Sequence, residues 1–539
     1  MIKKTPCTLT LCLLVLFYWS TGTFAQNNAQ TNAQTNVQNN QTAWFGITPP
    51  PAFKAHSLPV IIGDKPPAPL IVPADEEAWP EFNSETLYAD VERIVEFAKQ
   101  SRRNKEVGDG QMWGRIAGFP SAANTIQWAV QQFKQAGIEN TALQTFKQTE
   151  DARLWLPLRW KMNLIGDAAF GKDTRDLELQ SAMPLPPSEL PADGLRAPLV
   201  YVGTGSAAEI AHIDVRNKIA VQRITPQAHM VFVRSPTVPR ARTLFERGAV
   251  AVINLVDLPG NELARDFSNC GGPCFNVGGR DSHFLELLMN EATAKGVADK
   301  LQIELQLQSQ YFSGMQAQNG IAVVPGASEE TIVVNAHADA WFDGAGDNGD
   351  GLAVLIALAK HFAKAENKPQ KTLVFVASAG HHTSGLHGPH NFVAMNPDII
   401  RNTVLTINIE HVAQRNIVPS RIVTEDGYRQ FITDAGEAPI TAGITNNAPF
   451  LENLFVEGVQ RYGTNFVSGQ SDMASGEGGG YRNLGFPIVT TMQAPPLYHT
   501  SGEVTEMISK PGLARMAHFL AFFIKQVGNA PRDQIDPGA

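Results

Sequence analysis

From about residue 316 onward, short apolar runs alternate with helical stretches, and each run closes on histidine or a carboxylate. Ile332–Val334 leads to His337 and Asp339. Thr372–Val376 leads to the adjacent pair His381-His382, Thr403–Ile409 to Glu410, and Pro487–Thr490 to His499. Alternation of this kind predicts an α/β layer fold with a largely parallel central sheet. In such sheets ligands gather beyond the carboxyl ends of the strands, so residues scattered over 337–499 are brought to one crevice.

The residue types at those ends suit one chemistry. His337 and Asp339 share a face of an extended segment, so Asp339 is expected to accept the second ring N–H of His337 and orient it as a metal ligand. Asp347 lies in a glycine-rich turn just before the helix Leu352–Ala363, where its carboxylate can bridge two cations. The set His337, Asp347, His382, Glu410 and His499 supplies nitrogen and oxygen donors for zinc, as one ion or a pair about 3.5–4 Å apart. Gly344-x-Gly346-x-x-Gly349 falls between a strand and a helix, like a dinucleotide fingerprint. Asp343, Asp347 and Asp350 would repel a pyrophosphate, so the glycines are read as room for a tight turn around a metal-binding Asp.

The rest of the chain narrows the setting. Lys3 and Lys4, the apolar run Leu9–Tyr18 and Thr23-Phe24-Ala25 read as a signal peptide over 1–25, leaving Gln26 as the new N-terminus and an exported, periplasmic or extracellular protein. An Asn/Gln-rich tether and a Pro-rich arm expected on the surface follow, over 26–84. Lys and Arg number 43 against 52 Asp and Glu, a net charge of −9 that argues against a nucleic-acid binder. No later apolar run is long enough to span a membrane. Between 186 and 315 the texture changes to short β runs with turns, as in Leu199–Gly203, Lys218–Val221 and Gly248–Ile253. Cys270 and Cys274 flank Gly-Gly-Pro and are expected to form a local disulfide, since no second ligand pair for a zinc site is visible.

NAHADAWFDGAGDNGDGLAVLIALAKHF, SGLHGPHNF, SDMASGEGGGYRNLGFPIV and YHTSGE together resemble the di-zinc exopeptidases of metallopeptidase family 28. That family includes secreted aminopeptidases, glutamate carboxypeptidases and related non-peptidases. APLVYVG, IDVRNKIAVQR and ERGAVAVIN resemble the protease-associated insert that many of them carry. The resemblance spans about 85–525. It implies a three-layer αβα zinc-exopeptidase fold with an eight-stranded mixed central sheet, formed by 85–185 and 316–530. It also implies an inserted β-rich protease-associated domain over 186–315 near the active-site mouth, and it leaves 531–539 as a tail.

The family's ligand roles fall on His337, Asp347 as the bridging carboxylate, and His499. Glu410 stands where the family usually has Asp. His381-His382 stands where the family has Glu-Glu, a general base followed by a zinc ligand. An ungapped match to GLHG would instead place His382-Thr383 there, but Thr is a poor zinc ligand. The resemblance therefore implies a zinc-dependent exopeptidase, an aminopeptidase acting on peptides or small amides. His381 serves as base, with Asp339 supporting the catalytic centre. The lost carboxylates leave the site more positive, which lowers the His381 pKa and weakens the second metal. The same substitution keeps open a catalytically impaired binding protein, or a non-peptidase hydrolase or acyl-transfer enzyme on the same scaffold.

Overall fold

The computed structural model describes residues 42–50, 68–74, 76, 79–224, 237–258, 260–265, 269–423, 429–434, 436–468, 476–494 and 497–538. The expected signal peptide and the tether up to residue 41 lie outside these. The strand runs near the C-terminal half join one eight-stranded sheet. Its order is Phe466–Ser468, Ile440–Ile444, Ile488–Met492, Thr403–Ile409, Ser328–His337, Lys371–Ser378, Gln316–Val324, Thr141–Lys147. The four central strands pair in parallel, while Gln316–Val324 and Ile440–Ile444 pair antiparallel with their inner neighbours. The sheet is therefore mixed, as expected. The helix Asp350–Ala363 follows the strand Ser328–His337 and is buried almost all round, which its near-continuous apolar sequence requires.

Alternation along Ser328–His337 sends Ile332, Val334 and Ala336 to one face. There they pack with the helices Ser84–Arg103, Asp350–Ala363 and Lys510–Asn529. Val333 points the other way, to a core with Phe392 and Tyr481. Burial on both faces fixes strand register, because a slip of one residue would exchange the two sets.

A second eight-stranded sheet carries its own core, with Phe275, Phe284, Ile253 and Leu285 in it. It includes the expected runs near 199, 219 and 251, but also Leu154–Leu164, Leu177–Glu178 and Met183–Pro184. This lobe therefore begins well before residue 186. The Cys270–Cys274 disulfide is formed, as expected, with both cysteines buried in this lobe. The N-terminal arm departs from its expected place on the surface. Trp44 is buried in the second lobe, stacked on Phe170 at 5.8 Å, and Phe82 is buried in the first. The C-terminal segment is likewise anchored, by the buried Ile535 of a short helix, Arg532–Ile535.

Candidate metal centre

The four central strands deliver their end residues to one point, and Asp347 stands at its middle. Gly344 makes the turn that presents it: φ is +53°, and a Cβ there would lie 2.4 Å from Ala340 Cβ. Beneath the turn, Arg115 is fully buried and donates to three carbonyls, Ala338 O (2.8 Å), Asp343 O (2.8 Å) and Gly344 O (3.0 Å). Burial lowers its pKa to about 10, with Asp347 and Asp339 opposing, so it stays charged. Nothing in the sequence singles out Arg115 from other basic residues.

Each oxygen of the Asp347 carboxylate faces two imidazoles. Oδ1 lies 3.1 Å from His337 Nε2 and 3.1 Å from His411 Nε2. Oδ2 lies 3.0 Å from His382 Nε2 and 3.1 Å from His499 Nε2. Glu410 completes the first side, since donor atoms of His337, Glu410 and His411 lie within 4.8 Å of one another. The same holds for Asp347, His382 and His499 on the second. All five expected ligands converge, and all are at most 3% exposed. His382 Nε2, and not Thr383, faces Asp347: the Thr383 hydroxyl donates to Ala117 O. His411 is the added member.

Asp339 does something other than expected. His337 Nδ1 lies 3.0 Å from the backbone carbonyl of Asp339, while the nearer carboxylate oxygen is 3.7 Å away. The carboxylate accepts instead from the N–H groups of Gly380, His381 and His382, at 3.0, 3.1 and 2.8 Å. Its Oδ2 also lies 3.4 Å from His382 Nδ1. Asp339 thus fixes the His381-His382 loop and backs His382, a carboxylate–histidine pairing typical of metal sites. Spacing alone pointed to its own neighbour because a turn after His337 was not visible.

The electrostatics call for cations. Glu410 Oε1 accepts from Asn408 Nδ2 (2.9 Å) and Glu477 N (2.6 Å), while its buried Oε2 has no hydrogen-bond partner among the described residues. Gly476 is required beside it, since a Cβ there would lie 1.9 Å from that Oε2. A buried carboxylate oxygen without a partner is costly unless a cation meets it. Burial works against ionisation of Asp347, but His382, His411 and His337 overcome it and hold its carboxyl well below the usual range. Burial lowers and Asp347 raises the pKa of His382 and of His411, to about 9 in each case. Burial wins at His499, which falls to about 3. The donor set, four imidazoles and two carboxylates with Asp347 at the centre, fits zinc.

His381 stands apart from the ligands. Its ring stacks on His337 at 4.4 Å, its side chain is 18% exposed, and its Nδ1 lies 3.3 Å from Glu477 Oε1. Burial lowers its pKa, but the Glu477 and Glu410 carboxylates outweigh this and the net result is a rise to about 9. The expected lowering is that of the metal-loaded site, and the Glu477 carboxylate acts against it.

Residues 319–524 match the sequence model of peptidase family M28. No curated protein sequence matches the chain. Among solved structures, the zinc aminopeptidase BSAP from Bacillus subtilis is similar at 16% identity, over 84% of this chain and 98% of that one, with a TM-score of 0.54. An aminopeptidase from Aneurinibacillus sp. strain AM-1 is similar at 18% identity, over 85% and 97%, with a TM-score of 0.52. A peptidase M28 precursor from Shewanella amazonensis SB2B is similar at 19% identity, over 83% and 98%, with a TM-score of 0.57. At these identities the likeness is one of fold.

Proposed function

We propose that this chain, which carries a peptidase family M28 domain over residues 319–524, is an exported zinc-dependent exopeptidase that removes amino-terminal residues from peptides. The observation that carries the zinc-site reading is the Asp347 carboxylate, each oxygen of which faces two imidazoles at the ends of parallel strands. The aminopeptidase assignment draws on the fold it shares with the Bacillus and Aneurinibacillus enzymes. Export draws on the basic start, apolar run and Thr23-Phe24-Ala25 of the N-terminus. It places the protein in the periplasm or outside the cell, and N-terminal sequencing should find Gln26 first. Among the described residues no helix is long and apolar enough to cross a membrane. The second lobe is proposed as a protease-associated domain on its resemblance alone.

Zinc held by these residues supplies a Lewis acid and lowers the pKa of water. His381 supplies the proton transfers. Its Nδ1–H is directed at Glu477 Oε1, which leaves the Nε2 lone pair to take a proton from the attacking water and return it to the leaving amine nitrogen. Glu477 keeps the ring in that orientation, as a carboxylate does behind a catalytic histidine. Cations at Asp347 oppose the rise in His381 pKa and favour its neutral form. The test is hydrolysis of aminoacyl anilides and short peptides by the purified chain, before and after chelation. Chelator-sensitive release of N-terminal residues supports the reading. A fully metallated protein that cleaves none of them, even as His381→Glu, belongs instead to the binding-protein class.

A further inference from the structure

We infer that His411 is a fourth protein donor on the Oδ1 side of Asp347, closing that site with His337, Asp347 and Glu410. The Oδ2 side, which among the described residues gathers Asp347, His382 and His499, is then the site that keeps a position for water and substrate. The inference rests on the zinc-peptidase reading and divides its two metal positions into unlike halves.

The tautomer of His411 follows from its partners. Its Nδ1 lies 2.7 Å from the carbonyl of Gln493, which can only accept, so Nδ1 carries the hydrogen. Nε2 is then the nitrogen left to face Asp347 Oδ1, at 3.1 Å, and the one whose lone pair a metal takes once the ring gives up its second proton. His337 repeats the arrangement: Nδ1 faces the Asp339 carbonyl at 3.0 Å and Nε2 faces the same Oδ1 at 3.1 Å. Two ring nitrogens converging on one carboxylate oxygen, with a carboxylate oxygen of Glu410 within 4.8 Å of donor atoms of both rings, form a set of donor atoms that a cation fits. His337, Glu410, His411 and the shared Asp347 make four donors, the number of a closed tetrahedral zinc site. On the other side, Asp347, His382 and His499 make three among the described residues, the number of zinc sites that keep an open position. Asp339 does not add to that count, because its oxygens are taken by three backbone N–H groups.

The backbone is built to bring His411 in. Consecutive residues of a strand point to opposite faces, so Glu410 and His411 would ordinarily diverge. His411 has φ of +49°, a left-handed conformation unusual for a non-glycine residue, and this turns both side chains to the same centre. The turn is pinned by buried bonds: His411 N to Asn348 Oδ1 (3.1 Å), Val412 N and Ala413 N to Asp350 Oδ2 (2.9 and 2.8 Å). Asn348 and Asp350 follow the bridging residue by one and three positions, so Asp347 and His411 are positioned by one network.

The test is metal stoichiometry and chelator competition on the full chain, with zinc and with cobalt as a spectroscopic substitute. The wild type should bind two ions, one at least 100-fold tighter than the other. His411→Ala should weaken the tight ion more than 100-fold, since loss of an outer supporting group already costs 10–100-fold. His499→Ala should remove only the weak ion. The unsubstituted chain gives an independent reading. The first equivalent of cobalt should show an intense tetrahedral spectrum that a substrate-like hydroxamate does not alter, and the second should shift with it. Unchanged affinities in His411→Ala, or a first-equivalent spectrum that responds to the hydroxamate, would overturn the inference and leave the peptidase reading standing. A wild type that binds no metal would overturn that reading itself.

Discussion

Arg265 N donates to His499 O at 3.0 Å, so a residue of the second lobe holds the loop that carries a metal-site histidine. The contact is part of a seam. Ala264 bridges Thr500, Leu263 N donates to Ser501 Oγ at 2.9 Å, and Ser501 N returns to Leu263 O at 2.9 Å. The Arg265 guanidinium lies 4.7 Å over Trp341, whose ring packs 4.7 Å from His382 and 4.8 Å from His499. His499 has φ of +62°, a conformation that persists where surrounding contacts over-determine it. The second lobe is therefore part of the wall of the metal centre, not an appendage that can be removed with the site left intact.

Ser501→Ala tests that seam with a small change. It removes the acceptor for Leu263 N and the donor to Glu262, leaving two buried groups unpaired at about 1–3 kcal/mol each. The variant should fold, with a lowered melting point, and should hold the ion at His382 and His499 about tenfold more weakly, as expected for loss of an outer support. Chelator competition measures this. Affinity equal to the wild type would show that the lobe contact does not shape the site.

Arg115→Ala should be far more damaging to stability than its distance from substrate suggests. Three buried carbonyls lose their donor at once, for a loss on the order of 3 kcal/mol or more. Arg115→Lys should recover part of this, because an ammonium cannot reproduce the planar fork. Urea unfolding with the midpoint and slope compared against the wild type reads both.

What could be seen in the sequence followed periodicity. His337, His382, Glu410 and His499 each close a run whose type is plain from its apolar residues, and the parallel sheet then does the convergence. Residues placed by a local departure from regularity were not visible. His411 points inward only because its φ is positive. Glu477 sits in a glycine-rich turn over Gly476–Tyr481 that no strand announces. The strand Leu154–Leu164 carries Pro157, Arg159 and Lys161, which break a strand pattern, and its pairing with Gln302–Phe312 shifts register near Pro157. The start of the second lobe was hidden for that reason.

His381 and Glu477 make separable predictions. His381→Ala should keep its metals and lose about 10²–10⁴-fold in kcat, the usual yield of a positioned acid–base. Glu477→Gln keeps the ring's neighbour but not its charge, and should lower kcat with KM little changed. His381→Glu should raise activity above His381→Ala. Metal content measured alongside the kinetics separates these effects from simple loss of zinc. Loss of metal in His381→Ala would show that the ring is a ligand.

Glu262 makes stability depend on pH in a stated direction. Its side chain is buried, accepts from Ser501 Oγ at 2.5 Å, and burial pushes its pKa from 4.5 up to about 8, with Ser501 opposing. Below pH 4.5 the carboxyl is protonated in both the folded and unfolded chains, so it costs nothing there. Between about 4.5 and 8 the unfolded chain releases the proton and the folded one keeps it, so stability falls as pH rises, and above 8 the full loss applies. At 1.36 kcal/mol per pH unit the window corresponds to a few kcal/mol. Glu262→Gln keeps the shape and removes the titration. The variant should match the wild type near pH 4.5 and become progressively more stable than it up to pH 8, with no further gain beyond. Denaturant melts at half-unit steps over that range measure the gap. A gap that stays constant would mean that Glu262 is ionised in the folded protein throughout, and that the seam beside His499 holds a buried charge.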